Sequence, residues 1–272
     1  MQILIPVLLL LGVGVLCALL LTLASRYFGV EEDERATQIR DCLPGANCGA
    51  CGFSGCEGYA KALSEGITDK TNLCTPGGDG TAKRISALMG VEADDVVEQV
   101  AYVACNGACK PEERKYIYSG PKTCKAANMN FAGDRFCTFA CLGYGDCANV
   151  CPRDAISISE RGIAEIDPKK CIGCGLCARI CPNGIIHLVK DITRVVVKCN
   201  NHYKGVEVRK FCERGCIACG KCEKICPTDA IKVVDNLARI DYDKCISCGK
   251  CREVCPVHCI HEGNFLCGAH FE

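Results

Sequence analysis

Cysteine is the residue whose number and spacing in this sequence could do chemistry. There are 29 cysteines in 272 residues, and many of them recur as C-x2-C-x2-C-x3-C-P. This is a bacterial spacing for iron-sulfur ligation, whereas disulfide frameworks belong to short secreted chains. Basic and acidic residues balance at 32 each, so no bulk charge indicates nucleic-acid binding. The sequence therefore predicts thiolate-bound iron in a reducing compartment and no nucleic-acid partner.

Two copies of a cysteine repeat, 147–182 and 222–256, follow each other along the chain. Cys147 and Cys222 are 75 residues apart, and each copy carries two cysteine runs. In two-cluster ferredoxins the fourth cysteine of one run binds the cluster of the other run. This rule predicts four ligand sets: Cys137, Cys141, Cys147 and Cys181; Cys171, Cys174, Cys177 and Cys151; Cys216, Cys219, Cys222 and Cys255; and Cys245, Cys248, Cys251 and Cys226.

The segments between the runs predict the secondary structure of each module. "AISISERGIAEID" and "AIKVVDNLARID" alternate apolar and polar residues around a turn, which is typical of a β-hairpin. A proline follows each fourth cysteine and should end the short helix there. The first run, "CTFACLGYGDC", departs from the pattern with x3 and x5 spacings. The departure makes Cys141 a less regular ligand than the others.

A further cysteine group follows the N-terminal segment. Cys48, Cys51, Cys56 and Cys74 are spaced x2, x4 and x17, with glycines at 49, 52, 55 and 58. Zinc sites more often pair two C-x2-C knuckles, and glycines allow backbone amides to approach the sulfurs of an anionic cluster. We therefore expect a 4Fe-4S cluster here, in a small helical domain. "EGYAKALSEG" and "TAKRISALMG" each predict a helix, the second ending at Gly90.

The N-terminal segment predicts a membrane anchor. Residues 3–24 carry no charge, and 22 residues suffice to cross about 30 Å of hydrocarbon. A signal peptide would have a basic start and a shorter apolar stretch, although a cleaved leader remains the alternative. Arg26, Arg35 and Arg40 follow the segment and no basic residue precedes it, so the iron-sulfur domains are expected on the cytoplasmic side of the inner membrane.

Nine cysteines remain outside these sets, and some of them suggest one more site. One hypothesis is a sixth metal site, either a cluster or zinc, that draws on Cys105, Cys109, Cys124 and one of Cys199 and Cys212. The alternative is that these are reduced free thiols. Cys199 and Cys212 flank "NNHYKGVEVRKF", which is expected to form a hairpin.

The sequence carries no P-loop, dinucleotide fingerprint or nucleophile elbow. Without a site for a two-electron organic cofactor, the chain is expected to pass single electrons between clusters and to hold no complete active site. Catalysis would then require partner subunits. Because clusters replace much of the apolar core, the cysteine-rich regions should depend on iron for folding.

Three features of the chain together resemble the B subunits of Rnf complexes. They are the apolar anchor, the motif "LPGANCGACGFSGCEGYAKAL" with "LCTPGG", and the tandem ferredoxin modules. The five cysteine sets described above predict five 4Fe-4S clusters. The resemblance implies an oxidoreductase subunit that takes electrons from soluble ferredoxin. Its partners would be other membrane and NAD- or flavin-binding subunits, and NAD reduction would drive Na+ or H+ export. The fold class is α+β. The expected divisions are an anchor (1–27), a juxtamembrane 4Fe-4S domain (28–100), a cysteine-containing linker (101–134), ferredoxin-like module 1 (135–190), a hairpin insertion (191–213) and ferredoxin-like module 2 (214–272).

Two alternative functions stay open at this point. The first is a polyferredoxin subunit of another membrane reductase or hydrogenase. The second is a corrinoid-partner or redox-sensing module, because a similar four-cysteine domain occurs in corrinoid iron-sulfur proteins. Neither the pumped ion nor the order of electron flow follows from the sequence.

Overall fold

The structure, a computed structural model, describes residues 4–27, 33–107, 114–190 and 195–263. Short helices and short strands alternate along the chain after one long N-terminal helix. The mixed helix and strand content agrees with the predicted α+β class.

The N-terminal helix α1, Leu4–Tyr27, is 24 residues long. At about 1.5 Å per residue it extends about 36 Å, which exceeds the thickness of a bilayer core. Within it, Val7–Ala24 has a mean hydropathy of 2.9, and none of these residues is buried. By length and composition α1 can therefore cross a membrane, as the sequence predicted.

The juxtamembrane domain consists of three α-helices and one short 3-10 helix. They are α2 (Glu34–Cys42), α3 (Cys56–Ser64), the 3-10 turn Thr75–Gly77 and α4 (Gly78–Met89). The domain core consists of Ile39, Tyr59, Leu63 and Ile85, which are all fully buried. Both predicted helices are present, and α4 ends at Gly90 with a left-handed φ of 71° that favours glycine.

Module 1 contains two antiparallel strand pairs and three short helices. Its strands are β1 (Gln99–Val103), β2 (Ile156–Ile158), β3 (Ala164–Ile166) and β4 (Ile186–Lys190), and its helices are α5 (Cys124–Met129), α6 (Asp146–Asn149) and α7 (Leu176–Ile180). β2 and β3 form the predicted hairpin, while β1 pairs with β4 across the module. The helices α6 and α7 end within two residues of a Cys-Pro pair.

The expected linker 101–134 is wrong at its start, because its boundary cuts through β1. This strand has two buried faces, which explains why it belongs to the folded body. Ala101 and Val103 contact the module 1 core, whereas Val100 and Tyr102 pack with Val196 of module 2. A strand buried on both sides reads as a continuous apolar run without alternation.

Module 2 repeats this architecture. Its strands are β5 (Val195–Val197), β6 (Ile231–Val234), β7 (Leu237–Ile240) and β8 (Ile260–Glu262), and its helices are α8 (Gly205–Phe211), α9 (Lys221–Ile225) and α10 (Lys250–Glu253). β6 and β7 form the second predicted hairpin. β5 pairs with β8 in the same way that β1 pairs with β4. Each module is therefore a ferredoxin-like unit whose leading strand pairs with its last strand.

The expected hairpin insertion at 191–213 is also wrong. Residues 191–194 lie outside the described ranges, and the segment that follows β5 forms helix α8. The Val206–Val208 alternation suggested a strand, but only Val208 is buried while Val206 is 76% exposed. The Val208 amide donates to the Lys204 carbonyl at 3.1 Å, and the Cys212 amide donates to the Val208 carbonyl at 2.8 Å. Tertiary burial of one face thus selects a helix here.

Candidate metal centres

Four cavities are each lined by four cysteines. Three of them lie inside the ferredoxin-like modules, and the fourth lies where the two modules meet. The sets are Cys151, Cys171, Cys174 and Cys177; Cys226, Cys245, Cys248 and Cys251; Cys124, Cys141, Cys147 and Cys181; and Cys105, Cys137, Cys199 and Cys212. The equal number of thiols indicates the same kind of occupant in each.

The cavities fit a polynuclear cluster better than a single ion. Among the described residues, no three His, Cys, Asp or Glu side chains converge closely enough to hold one metal ion. A mononuclear zinc site needs such convergence, because its Zn–S distances are about 2.3 Å. Four thiols spread around a cavity are the arrangement that binds 4Fe-4S, which is held by four Cys thiolates.

Two of the cavities bring together sets that the ferredoxin spacing predicts, one in each module. Their sulfurs receive backbone amides at equivalent places. The Ala155 amide donates to the Cys151 Sγ at 3.4 Å, and the Ala230 amide donates to the Cys226 Sγ at 3.3 Å. Such N–H···S bonds stabilise thiolates and tune cluster potentials.

The third regular set, Cys216, Cys219, Cys222 and Cys255, also lies together. Burial and, to a smaller extent, the charges of the other three sulfurs raise the pKa of Cys222 to about 12. Cys259 lies beside this set, with its Sγ 3.7 Å from that of Cys255. The Cys259 thiol lowers the pKa of Cys255 to about 5 through this hydrogen bond. Cys259 can thus donate to a ligand sulfur, a role that the sequence pattern did not predict.

The set expected around Cys137 requires a correction. Cys141, Cys147 and Cys181 line one cavity as predicted, but the fourth thiol there is Cys124, not Cys137. Burial raises the pKa of Cys147 to about 12, and the sulfurs of Cys141, Cys124 and Cys181 add to the rise. Cys124 is the first residue of α5, and the amides of residues 144–146 donate to its sulfur.

The sequence contains a signal for this exchange. At the repeat offset of 75 residues, Cys141 and Cys147 align with Cys216 and Cys222, but Tyr144 aligns with Cys219. Module 1 therefore lacks one thiol of its run, and α5 carries the replacement from outside the repeat. A run that starts at Cys137, with x3 and x5 spacings, conceals this alignment.

The expected extra site is also corrected in its membership. Cys105, Cys199 and Cys212 do line one cavity together, but its fourth thiol is Cys137. Cys124 belongs to the neighbouring cavity, and Cys109 lies outside the described residues. The reason is again the missing thiol at Tyr144, which draws Cys124 into module 1 and leaves Cys137 to face module 2.

The juxtamembrane thiols Cys48, Cys51, Cys56 and Cys74 also lie together. Burial raises the pKa of Cys74 to about 11, and the charges of the other three sulfurs contribute. Cys56 begins α3, and its amide donates to the Asn47 Oδ1 at 2.9 Å. Gly55 precedes it with a φ of 134°, a conformation that glycine adopts without strain. Asn47 and Gly55 therefore position the third thiol of this loop.

The juxtamembrane domain contacts module 1 beside its cysteines. The Arg179 guanidinium at the end of α7 donates to the backbone carbonyl of Cys48. The Cys174 thiol, whose pKa burial raises, also interacts electrostatically with Cys48. The juxtamembrane site thus neighbours the Cys151, Cys171, Cys174 and Cys177 site of module 1.

Comparisons with known families agree with these centres. The family model named FeS, for an Fe-S cluster, matches residues 43–76. A 4Fe-4S dicluster domain matches 136–185 and again 215–259. These ranges contain the juxtamembrane loop and the cysteine runs of both ferredoxin-like modules.

Similar whole proteins lead to one family. The chain is 43% identical over 258 residues to the B subunit of the Na(+)-translocating ferredoxin:NAD(+) oxidoreductase complex of Acetobacterium woodii, covering 95% of this chain and 77% of the relative. It is 37% identical to the B subunit of the proton-translocating ferredoxin:NAD(+) oxidoreductase complex of Clostridium ljungdahlii, covering 75% and 72%. It is 39% identical to the B subunit of the ion-translocating oxidoreductase complex of Methanosarcina acetivorans, covering 75% and 77%. The chain therefore belongs to the family of B subunits of the ion-translocating ferredoxin:NAD+ oxidoreductase complexes, the Rnf family that its motifs resemble.

Proposed function

We propose that this chain is the iron-sulfur electron-transfer subunit of a membrane Rnf-type complex, which relays electrons from reduced ferredoxin towards NAD. The observation that carries the proposal is the set of cavities lined by four thiols each, in a chain of this family. Bound 4Fe-4S clusters supply one-electron redox chemistry at these positions. Five such clusters are assigned to the juxtamembrane loop and the two modules.

The protein contributes ligands, exclusion of water and fixed spacing. The thiols of Cys147 and Cys222 are buried, so these ligand sulfurs are withdrawn from solvent. Contacts between neighbouring sites support a single route. Cys174 interacts with Cys48 of the juxtamembrane loop, and Cys147 interacts with Cys177 of the second module 1 set.

Module 2 is the end where ferredoxin docks. Cys219 and Cys248 are exposed, whereas the module 1 counterpart of Cys248, Cys174, is buried. Each exposed cysteine is followed by Gly-Lys, so that the exposed Lys221 and Lys250 begin α9 and α10. Module 1 has Asp146 and Leu176 at the equivalent positions. Two exposed lysines beside the most accessible ligands suit an acidic soluble partner.

The juxtamembrane site lies at the other end of the chain of contacts and serves the membrane partners. Helix α1 anchors the protein as a single pass in the cytoplasmic membrane, and Arg26 at its end supports a cytoplasmic location for the clusters. NAD reduction and Na+ or H+ translocation then take place on other subunits with flavin or NAD sites.

Deletion of this subunit tests the proposal. Membranes from the deletion strain should lose ferredoxin-dependent NAD reduction, and restoring the full chain should restore it. Loss of a different ferredoxin-linked or hydrogenase activity, with ferredoxin:NAD reduction unchanged, would instead favour a polyferredoxin of another complex. Neither result depends on how many clusters the chain holds.

A further inference from the structure

One of the four cysteine-lined cavities lies between the two modules, and most of its thiols come from outside the matched domains. Cys105, Cys199 and Cys212 lie outside the ranges that match iron-sulfur families. Of its four thiols only Cys137 lies inside a match, and it is absent from the cavity of the run that contains it. Like the other three cavities, this one is lined by four cysteines.

The four thiols come as two equivalent pairs, one from each module. Cys105 follows β1 by two residues and Cys199 follows β5 by two residues, in the related sequences V-A-C-N and V-K-C-N. Cys137 and Cys212 are 75 residues apart, which is the offset of the ferredoxin repeat. Each of them precedes the first ligand of its module, Cys141 or Cys216, by four residues. The repeat therefore brings matching pairs of thiols to one interface.

The surroundings of these thiols resemble those of the regular sites. The Cys216 amide donates to the Cys199 Sγ at 3.3 Å. Backbone amides of Cys141 and Gly107 donate to the Cys105 sulfur. Lys198 and Arg214 line the same cavity and can offset the charge of an anionic cluster. Cys137 is buried, and Cys105, Cys199 and Cys212 are partly buried.

The interface around the cavity is firmly packed. Phe139 of module 1 contacts the rings of His202 and Tyr203, and Tyr203 contacts Phe211 of α8. The Thr138 and Tyr203 hydroxyls are 2.8 Å apart. On the other side, Val100 and Tyr102 of β1 pack with Val196 of β5. The two pairs of thiols are thus held in a fixed relation.

We propose that Cys105, Cys137, Cys199 and Cys212 hold a sixth 4Fe-4S cluster, which connects the two modules electrically. Cys105 receives an amide from Cys141 of the adjoining module 1 site, and Cys199 receives one from Cys216 of the adjoining module 2 site. Each exchange along this route oxidises one cluster and reduces the next by one electron, with no bond made or broken. The connecting role rests on the proposed electron-transfer function, whereas the site itself does not.

Iron and acid-labile sulfide counts test the site without any activity assay. The full chain, purified anaerobically in detergent and reconstituted with ferrous iron and sulfide, should hold about 24 iron atoms, whereas five clusters give about 20. Cys212→Ala should lose about four iron atoms. A wild-type count near 20, or one zinc per chain lost with Cys212→Ala, would overturn the proposal.

Double variants test which thiols share the site. Cys137→Ala with Cys212→Ala should lose about four iron atoms, because both remove ligands of one cluster. Cys124→Ala with Cys212→Ala should lose about eight, because they affect two clusters. A loss of about eight iron atoms from the first double variant and about four from the second would refute this assignment. It would support the assignment expected from the sequence. Cys17→Ala, in α1, is the control and should keep the full count.

The connecting role has a separate readout. In Cys212→Ala, reduced ferredoxin should still reduce the clusters of module 2, while the clusters of module 1 stay oxidised. EPR monitors the oxidation state of both sets. Equal reduction of both modules at the wild-type rate would show that the sixth cluster does not connect them. Failure of the ferredoxin:NAD assignment would leave the iron counts unchanged, so the two proposals fail separately.

Discussion

At the scale of single residues, Tyr144 decides how the thiols of module 1 are shared. It occupies the position that Cys219 holds in module 2, and its hydroxyl donates to the buried Asp134 at 2.9 Å. Gly145 and Gly220, which follow these two residues, are both left-handed, so the loop geometry is shared by the two modules while one thiol is not. Cys124 replaces the missing thiol, and Cys137 is left to line the interface cavity.

A rescue experiment follows from this substitution. Cys124→Ala should lose about four iron atoms, and adding Tyr144→Cys should restore them, because the new thiol stands where Cys219 stands in module 2. Iron, sulfide and EPR spin counts measure both steps. Cys124→Ala with Tyr144→Phe is the matched control and should stay about four short. Rescue by the phenylalanine variant, or none by the cysteine, would contradict the assignment of Cys124.

The charge of Lys198 should set the potential of the interface cluster. Lys198 lines the cavity, and burial lowers its pKa. Because the side chain is partly buried, its ammonium group interacts with other charges with reduced screening by water. Lys198→Met removes the charge and keeps the length of the side chain. The reduced cluster carries more negative charge, so the potential should fall, by about 1.4 kcal/mol or about 59 mV for a one-electron couple.

Redox titration followed by EPR measures this shift. Lys83→Met, on the exposed face of α4, provides a control that should leave every potential unchanged. A shift towards a more positive potential in Lys198→Met would contradict the electrostatic argument.

At the scale of elements, the leading strands β1 and β5 lie outside the matched dicluster ranges. Each strand pairs with the last strand of its module and is followed two residues later by a cysteine. Cys212 directly follows helix α8 in the same region. These elements thus supply three of the four thiols at the interface between modules.

Helix α7 contacts the juxtamembrane domain through Arg179 at its end. Arg179→Ala removes the bond to the Cys48 carbonyl, which contributes at most about 1.5 kcal/mol because the side chain is exposed. Ferredoxin-dependent NAD reduction by the complex should therefore fall by up to about tenfold, with iron content unchanged. Arg209→Ala, an exposed arginine on α8, is the control. Unchanged activity in Arg179→Ala would show that this contact does not position the two sites.

The N-termini of α9 and α10 carry the docking prediction. Lys221→Glu with Lys250→Glu should raise KM for reduced ferredoxin about tenfold and leave kcat and iron content unchanged, because exposed charges act mainly on encounter. The salt dependence of kcat/KM should weaken as well. Lys70→Glu with Lys83→Glu makes the same change of net charge on the juxtamembrane domain and should leave KM unchanged. If both double variants raised KM equally, net charge and not a docking site would explain the effect.

The sequence predicts local elements better than long-range partners. Cys147, Cys222 and their runs, both hairpins and Gly90 as the end of α4 follow from spacing and turn chemistry within a few residues. The partnership of Cys124 with Cys141, or of Cys105 with Cys137, depends on how separate elements pack. β1 and α8 were missed because tertiary burial, not local alternation, determines their structure.

At the scale of the whole molecule, the sites form a line of neighbouring contacts. Cys48 neighbours Cys174, Cys147 interacts with Cys177, and Cys105 and Cys199 reach the two sites on either side of the interface. The set that contains the exposed Cys219 lies at one end of this line and the juxtamembrane loop at the other. The arrangement fits a relay whose two ends meet different partners, one soluble and one in the membrane.

Removal of α1 tests the membrane end of this relay. Helix α1 supplies the apolar surface that holds the chain at a bilayer, while the folded core of the juxtamembrane domain begins at α2. A chain lacking residues 1–27 should therefore appear in the soluble fraction with its clusters bound, and membranes containing only this variant should lose ferredoxin-dependent NAD reduction. Iron counts and fractionation measure the two parts separately.

In inverted vesicles of the full chain, added protease should cut the domains, whereas intact spheroplasts should protect them. Protection in inverted vesicles would place the clusters on the opposite side and contradict the predicted orientation.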